Sequence, residues 1–224
     1  MFNFQSLFSQ SPSIKRKKRS EIILKNKNIP FIDKLPVITD DDQKTKLRSK
    51  SDIAKRAISL HIVALKGEDL EQTIIDKLIN IFNAADFFTP EEKMFIKKDA
   101  PSQQQKINFI WRYECCWVML WALGYIDKLE FPDKICDVTT LVTIIKNSGS
   151  YENFLNKAQP KTIHEILNEA DLIYRYNWAC VNSRIKNQTP PALLDPGVVL
   201  ERHHALNWII HSMDQEWDDI STDT

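Results

Sequence analysis

The chain has 224 residues, of which 27% are charged and 43% hydrophobic, and its 30 lysines and arginines are balanced by 30 aspartates and glutamates. This composition is that of a folded globular protein, and it excludes a disordered chain or one drawn to nucleic acid by its net charge. Only 4 residues are glycine, against about 7% in an average protein, which argues against glycine-rich phosphate-binding loops and turn-rich β-sandwiches and favours helices.

Charge is distributed unevenly along the chain. Residues 1–35 carry eight lysines and arginines against two carboxylates, whereas the last eleven residues carry five carboxylates and no lysine or arginine. The basic run at residues 15–19 has the charge to contact a phosphate backbone, but no aromatic side chain interrupts it to stack on bases. We therefore expect a solvated or internally paired surface there, and nucleic-acid binding is the third of our functional hypotheses.

Helical periodicity begins after an extended connector at residues 28–46, which contains two prolines and an acidic turn at 40–42. Apolar residues three and four apart predict a helix that reaches a glycine stop at residue 67, and a second helix at 70–82. Thr89, followed by a proline and by a glutamate in the third position, predicts the start of a third helix, because these residues satisfy its free amides.

A long helix is predicted from the cap Ser102 to about residue 125. Its segment 115–123 is apolar on every side, which is typical of a helix that is buried all round. We therefore place the helix at about 103–125 in the centre of the fold, with the other helices wrapped around it. The apolar segment is too short to cross a membrane, which takes about 20 residues.

Three further helices are predicted towards the C-terminus. The β-branched stretch at 137–146 has the composition of a strand, but no partner strand is evident and Asp137 is available as a cap, so we predict a helix. Thr162 and the glutamate three residues later form a second capping box, which opens a long helix to about residue 185. Asp195 and the proline after it start a last helix that ends near Met213.

These elements together predict an all-α fold, a single compact multi-helix domain around the buried helix at about 103–125. We expect this domain to span residues 15–224. Residues 1–14 are expected to be a variable N-terminus, which is a candidate for disorder. No internal repeat divides the chain.

The four cysteines show no CxxC spacing: Cys115, Cys116, Cys136 and Cys180. Two of them lie in the apolar centre of the predicted central helix, so we interpret them as buried thiols that pack like small hydrophobic side chains. The N-terminal positive charges follow the apolar residues, which is the reverse of the order in a secretory signal. We therefore expect a cytoplasmic, reduced protein with no membrane segment.

The sequence contains no standard motif for nucleotide binding or nucleophilic hydrolysis, since GxGxxG, GxxxxGK[ST] and GxSxG are all absent. Residues 164–168 read HEILN, which differs from the zinc-protease motif HExxH by the loss of the second histidine. His203 and His204 are adjacent and point about 100° apart on a helix, which is a poor arrangement for holding one ion together. We predict no metal and no cofactor.

Six polar residues lie in or beside apolar helical stretches and form our candidate site: Arg112, Glu114, Asp171, Arg175, Glu201 and His203. In a structural interpretation, the charged residues form ion pairs that hold helices in register, and removing one partner of a buried pair costs about 3–5 kcal/mol. In a functional interpretation, the residues line a cleft where His203 or His204 acts as an acid or base near neutral pH. Glu114 or Asp171 then orients the histidine, and an arginine binds an anionic substrate. Spacing alone favours the structural interpretation.

Four ordered segments resemble a bacterial family catalogued as domain of unknown function 4272: WRYECCWVMLWALGYI (111–126), EADLIYRYNWA (169–179), ERHHALNW (201–208) and WDDISTDT (217–224). Three N-terminal segments are similar as well, namely KRSEIILKNKNIP, LPVI and RSKSDIAKRAISL, so the resemblance covers about residues 15–224. It implies a soluble, mainly α-helical bacterial protein whose tail from Trp217 folds back onto the domain. It assigns no activity and no catalytic residue.

We expect a binding or regulatory module that engages a protein partner, and an immunity-like role against a toxin is one version of this hypothesis. The alternative is an enzyme, a hydrolase or transferase that acts on an anionic small molecule through the cluster of arginine, glutamate, aspartate and histidine residues given above. Of the two hypotheses, we favour the binding module over the enzyme. The two hypotheses differ in whether these side chains meet in one cleft.

Overall fold

The computed structural model describes residues 10–39 and 44–224, and these residues form helices and loops with no β-strand among them. The α-helices in chain order are α1 (Pro12–Asn26), α2 (Lys50–Gly67), α3 (Gln72–Phe82), α4 (Pro90–Ile96), α5 (Gln103–Ile110), α6 (Arg112–Ala122), α7 (Val138–Ser148), α8 (Tyr151–Lys157), α9 (Ile163–Ile185) and α10 (Pro196–Ile209). Short 3₁₀ turns lie at Ala84–Asp86, Pro191–Leu193, Ser212–Asp214 and Trp217–Asp219. The predicted all-α class is confirmed.

Helix starts that carry a capping residue are where the sequence predicts them. Thr89, Ser102 and Thr162 each accept a hydrogen bond from the amide three residues later, and the side chain at that position bonds back to the amide of the cap. Asp137 and Asp195 cap α7 and α10 through their side chains. The stretch at 137–146 is therefore a helix, as predicted.

The predicted helix at 103–125 is divided into α5 and α6. At Trp111 the backbone tightens into a 3₁₀-type turn. The amide of Glu114 bonds to the carbonyl oxygen of Trp111, three residues back, at 3.0 Å and not to a carbonyl four residues back. The C-terminal end comes at Ala122, since Gly124 adopts a left-handed φ of +80° and the amide of Tyr125 bonds to the carbonyl oxygen of Leu120 at 2.9 Å.

Two helices were not predicted, and a third is shorter than expected. Both α1, which contains the basic run, and the seven-residue α8 are capped by serine side chains, those of Ser11 and Ser150. Helix α10 ends at Ile209 and not near Met213, because His211 adopts a left-handed φ of +52°. Neither the short α8 nor the charged α1 has the wide apolar stripe on which the predictions relied.

The core has two buried helices at its centre and not one. Nine of the 11 residues of α6 are buried, in agreement with its predicted central position. In addition, 13 of the 18 residues of α2 are buried, and α2 packs along both α5 and α6. Helix α10 packs against α6 and α9, and α1 packs on α9. The polar faces of α6, α9 and α10 thus meet inside the molecule.

The tail from Trp217 folds back onto the helices, as the resemblance implied. Trp217 is 4% exposed, and its ring lies edge-on to the ring of Trp208, with 5.5 Å between centroids. The predicted acidic turn at 40–42 and residues 1–9 of the predicted N-terminal segment lie outside the described residues. In the part of the chain that is described, no helix combines the length and the apolar character needed to cross a membrane.

Candidate functional site

Asp171 and Arg175 form an ion pair that is closed to solvent. Nε and Nη2 of Arg175 each donate a hydrogen bond of 2.9 Å to one oxygen of Asp171, and both side chains are 0% exposed. Nη2 also bonds to the carbonyl oxygen of Pro36 at 3.2 Å, which ties α9 to the N-terminal connector. Since neither side chain faces solvent, this pair has the position of a structural element.

Arg112 and Glu201 are brought together from α6 and α10. Nη1 of Arg112 donates to Oε2 of Glu201 at 2.9 Å. The thiol of Cys115 donates to the same carboxylate at 3.0 Å, and burial raises the pKa of this thiol well above its ordinary value. The pair lines a cavity of about 270 Å³ beside Trp111 and remains partly exposed.

Glu114 pairs with Arg202, which was not among the predicted site residues. Nε of Arg202 lies 3.3 Å from Oε2 of Glu114, and the backbone amide of Cys136 donates to Oε1. Both side chains are almost fully buried. Five of the six predicted residues therefore form three ion pairs, and only Arg112 and Glu201 among them line the cavity at Trp111.

The two adjacent histidines are not poised near neutral pH. Burial lowers the pKa of His203 to about 4. Burial, together with the positive charge of Arg112, lowers the pKa of His204 to about 3. His203 lies beside the ring of Tyr174 at 5.9 Å between centroids. Both histidines are therefore neutral at pH 7, because desolvation disfavours their charged forms. The functional interpretation, which needs a histidine that titrates near neutrality, gains no support from them.

Aromatic and cationic side chains from four parts of the chain meet around Trp217. His204 lies against its ring at 4.5 Å between centroids. The guanidinium carbons of Arg56 and Arg112 lie 4.9 and 5.9 Å from the centre of the ring. We call these four residues and Trp208 the Trp217 cluster. Such cation–π contacts contribute about 0.5–2 kcal/mol each, depending on desolvation.

Arg56 is neutralised within the fold. It is 5% exposed, and its Nη2 donates to a carboxylate oxygen of Glu92, which is 2% exposed. The same oxygen of Glu92 accepts the amide of Thr89 and so closes the capping box of α4. Arg56 is therefore paired with Glu92 of α4, a helix start that the sequence predicts. Arg56 itself was not identified from the sequence.

An open groove of about 600 Å³ lies next to the Trp217 cluster, and we call it the Trp217 groove. Its lining residues come from the start of α2, from the segment before α4, from α10 and from the tail: Arg48, Asp52, Lys55, Arg56, Asp86, Phe87, Phe88, Thr89, Pro90, Trp208, Glu216, Trp217, Asp218 and Asp219. Nε1 of the 6%-exposed Trp208 is buried and has no hydrogen-bond partner among the described residues. The groove combines an aromatic base with a charged rim.

The cysteines fit the predicted role of packing residues. All four are free and buried, and Cys116 donates to the carbonyl oxygen of Ala57 at 3.2 Å in the contact between α6 and α2. Within residues 10–39 and 44–224, no group of three or more histidine, cysteine or carboxylate side chains is placed to hold a metal ion.

A family model described as Domain of unknown function (DUF4272) matches residues 16–220. The chain belongs to the DUF4272 family. No curated protein and no solved structure matches the chain. The region of the DUF4272 match includes every residue of the Trp217 cluster and of the Trp217 groove.

The segments that resemble DUF4272 converge on this cluster in the fold. Arg56 comes from RSKSDIAKRAISL, Arg112 from WRYECC, His204 and Trp208 from ERHHALNW, and Trp217 from WDD. Of these residues, Arg56 was not singled out from the sequence. The available signal was a charged side chain within an apolar helix, since Arg56 follows three residues after Ile53 on a buried face of α2.

Proposed function

We propose that this protein is a non-catalytic binding module that engages a basic segment of a protein partner in the Trp217 groove. The observation that carries the proposal is the charge of the groove: five carboxylates and three cations line it. Two of the cations are neutralised within the protein, Arg56 by Glu92 and Arg48 by Glu216 at 3.2 Å. The rim therefore retains an excess of negative charge that lysines and arginines of a partner would complement.

The aromatic base of the groove supports the same class of partner. Arg48 lies 4.9 Å from the ring of Trp208, and Lys55 lies 5.8 Å from the ring of Phe87. The protein's own side chains thus already pack cations on these rings, which is the geometry that a guanidinium or ammonium group of a partner prefers. Tryptophan and arginine are also the residues most often found at the energetic centre of protein interfaces.

The carboxylates at the rim are accessible to a partner. Asp86, Asp218 and Asp219 are exposed. One oxygen of Asp218 accepts the amide of Glu91 at 3.3 Å, which holds the tail beside α4. Because the tail is tied down in this way, the carboxylates are presented by an ordered surface, which lowers the entropy lost on binding.

The enzyme alternative has less support. An anionic substrate needs an arginine that is not already neutralised, whereas Arg112, Arg175 and Arg202 each pair with a carboxylate of the protein. An acid–base histidine needs a pKa near neutrality, and burial lowers the pKa of His203 to about 4. We further propose a reducing, cytoplasmic location, which the four free thiols support, and an immunity-like role remains one form of the proposal.

The test combines affinity purification from the native host with cross-linking at chosen positions. We expect a stoichiometric partner, and a photo-cross-linker placed at Asp86 should capture a peptide of that partner rich in lysine and arginine. The matched control is the same cross-linker at Asp133, which is also exposed but lies between α6 and α7. Repeated failure to recover a partner, or equal capture at both positions, would contradict the proposal.

Charge reversal measures the electrostatic contribution directly. Asp86→Lys combined with Asp219→Lys should slow association with the purified partner by about tenfold or more at low salt, and the difference should shrink as salt is added. Glu152→Lys combined with Asp133→Lys changes the net charge equally at exposed positions outside the groove lining. An equal effect of the two double variants would point to net charge and not to the groove.

A further inference from the structure

A second and smaller cavity lies where α9, α10 and the loop after α6 meet. Its volume is about 160 Å³, and it shares no lining residue with the Trp217 groove. Its walls include Phe131, Glu169, Leu172, Tyr176, Arg202 and Leu206. A cavity of about 150 Å³ holds a molecule of the size of benzene, so a ring-sized group fits here.

Glu169 is a carboxylate in this cavity that lacks a partner in the described part of the chain. It forms no ion pair or hydrogen bond there, although the positive charges of Arg19 and Arg202 act on it from a longer distance. Burial is the larger influence and raises the pKa of this carboxyl above its ordinary value. The carboxylate oxygens of Glu169 are not among the enclosed polar atoms that lack a partner, so a ligand donor would replace water there and form a charge-assisted hydrogen bond.

Arg202 offers the complementary group on another wall. The side chain is 4% exposed, and two of its nitrogens are used: Nε faces Glu114 at 3.3 Å, and Nη1 donates to the carbonyl oxygen of Glu130 at 2.7 Å. The remaining nitrogen, Nη2, has no partner among the described residues. The cavity therefore presents one free acceptor group and one free donor group that is fixed in place by the ion pair.

The remaining walls favour a flat and uncharged ligand. Phe131 and Tyr176 meet edge-to-face at 5.6 Å between ring centroids, and Leu172 and Leu206 add aliphatic surface. Lys27 already places its Nζ 4.1 Å from the centre of the Phe131 ring. Lys27 and Arg202 would repel a cationic ligand, and Glu169 would repel an anionic one. A neutral ligand is therefore favoured over a charged one.

We propose that this cavity binds a neutral, ring-sized ligand that carries an amide group. The amide N–H would donate to the carboxylate of Glu169, and the amide carbonyl oxygen would accept from Nη2 of Arg202. An amide is the simplest neutral group that presents a donor and an acceptor side by side. A carboxylate has no proton for Glu169, and an amidinium group has no acceptor for Arg202.

Three probes of nearly identical shape test the proposal: benzamide, benzoate and benzamidine. Titration of the full chain is followed by the backbone amide NMR signals of α9 and α10. Benzamide should bind with a Kd of about 1 mM or tighter. Benzoate and benzamidine should each bind at least about tenfold more weakly, because each displaces water from the cavity and leaves either Glu169 or Nη2 of Arg202 without a partner. Equal binding of the three, tighter binding of a charged probe, or no binding of benzamide would overturn the proposal.

Glu169→Met then tests the role of the carboxylate. Methionine keeps the length of the side chain and removes the acceptor, so benzamide should bind about tenfold more weakly. Benzoate should bind more tightly to this variant than to the wild type, because the anionic wall is gone while Arg202 and Lys27 remain. The control Glu152→Met changes an exposed glutamate of α8 and should alter neither affinity. Unchanged affinities in Glu169→Met would refute the assigned contact, and the three-probe comparison on the wild type decides the proposal even if this variant fails to fold.

Discussion

Asp171→Asn keeps the shape of the side chain and removes its charge from a solvent-free ion pair. Both oxygens of Asp171 accept hydrogen bonds of 2.9 Å from Arg175, and both side chains are 0% exposed. In the variant, Arg175 retains its bond to the carbonyl oxygen of Pro36, but its charge has no compensating carboxylate. A buried charge that loses its partner costs about 3–5 kcal/mol. We expect the free energy of unfolding to fall by that amount.

Urea unfolding followed by circular dichroism measures this loss. The midpoint should fall while the dependence on urea stays the same, which shows that stability has changed and not the compactness of the unfolded state. The control Asp133→Asn changes an exposed aspartate and should stay within about 0.5 kcal/mol of the wild type.

A double variant separates the loss of the pair from the loss of one partner. Asp171→Leu combined with Arg175→Met removes both charges and replaces them with apolar side chains. Because buried ion pairs exchanged for well-packed apolar residues are often neutral in stability, this variant should regain most of the stability lost in Asp171→Asn. A loss below about 1 kcal/mol in Asp171→Asn would refute the reasoning, since the pair would then not be held in a desolvated site.

Three further changes test other parts of the structure. Gly124→Ala should lower the thermal midpoint far more than Gly149→Ala. Both positions have left-handed φ values, but an added Cβ at Gly124 would lie 2.1 Å from a backbone oxygen, whereas no atom lies within 4 Å of an added Cβ at Gly149. The cost at Gly149 should be about 1 kcal/mol. Trp217→Ala should lower the free energy of urea unfolding by about 3–5 kcal/mol, because it empties the centre of the Trp217 cluster; a loss below about 1 kcal/mol would contradict the buried position. Burial lowers the pKa of His61 and His203 from 6.5 to about 4, so the unfolded state takes up protons that the folded state does not, and stability should fall as pH decreases from 6.5 towards 4. At pH 5 the loss should be about 2 kcal/mol per histidine, and equal unfolding midpoints at neutral and mildly acidic pH would show that these histidines are not held neutral.

The sequence by itself determined the fold class and most of the helix boundaries, because the interactions responsible are local. The side chain of Thr162 caps α9 through an amide three residues away, and the predicted end near residue 185 coincides with the last residue of the helix, Ile185. The apolar stretch at 115–123 correctly predicted a buried helix, since no face of it can be left to solvent. Helix α8 was missed because its seven residues are too few for a periodic pattern to be distinguished.

Only some of the ion pairs can be predicted from the sequence. Asp171 and Arg175 are four residues apart, so their contact follows from helix geometry alone. Glu114 and Arg202 are 88 positions apart, and their contact depends on how α6 and α10 pack. Spacing along one helix contains no information about which face of a distant helix lies opposite.

The tertiary structure alone decided the properties that bear on function. Burial lowers the pKa of His203, and no local pattern reports how much water a fold removes from one side chain. The Trp217 groove and the free carboxylate of Glu169 exist only because segments from distant parts of the chain meet there. The physical reason is the same throughout: capping and periodicity act within a few residues of the chain, whereas desolvation, ion pairing between helices and cavities are set by the packing of the whole molecule.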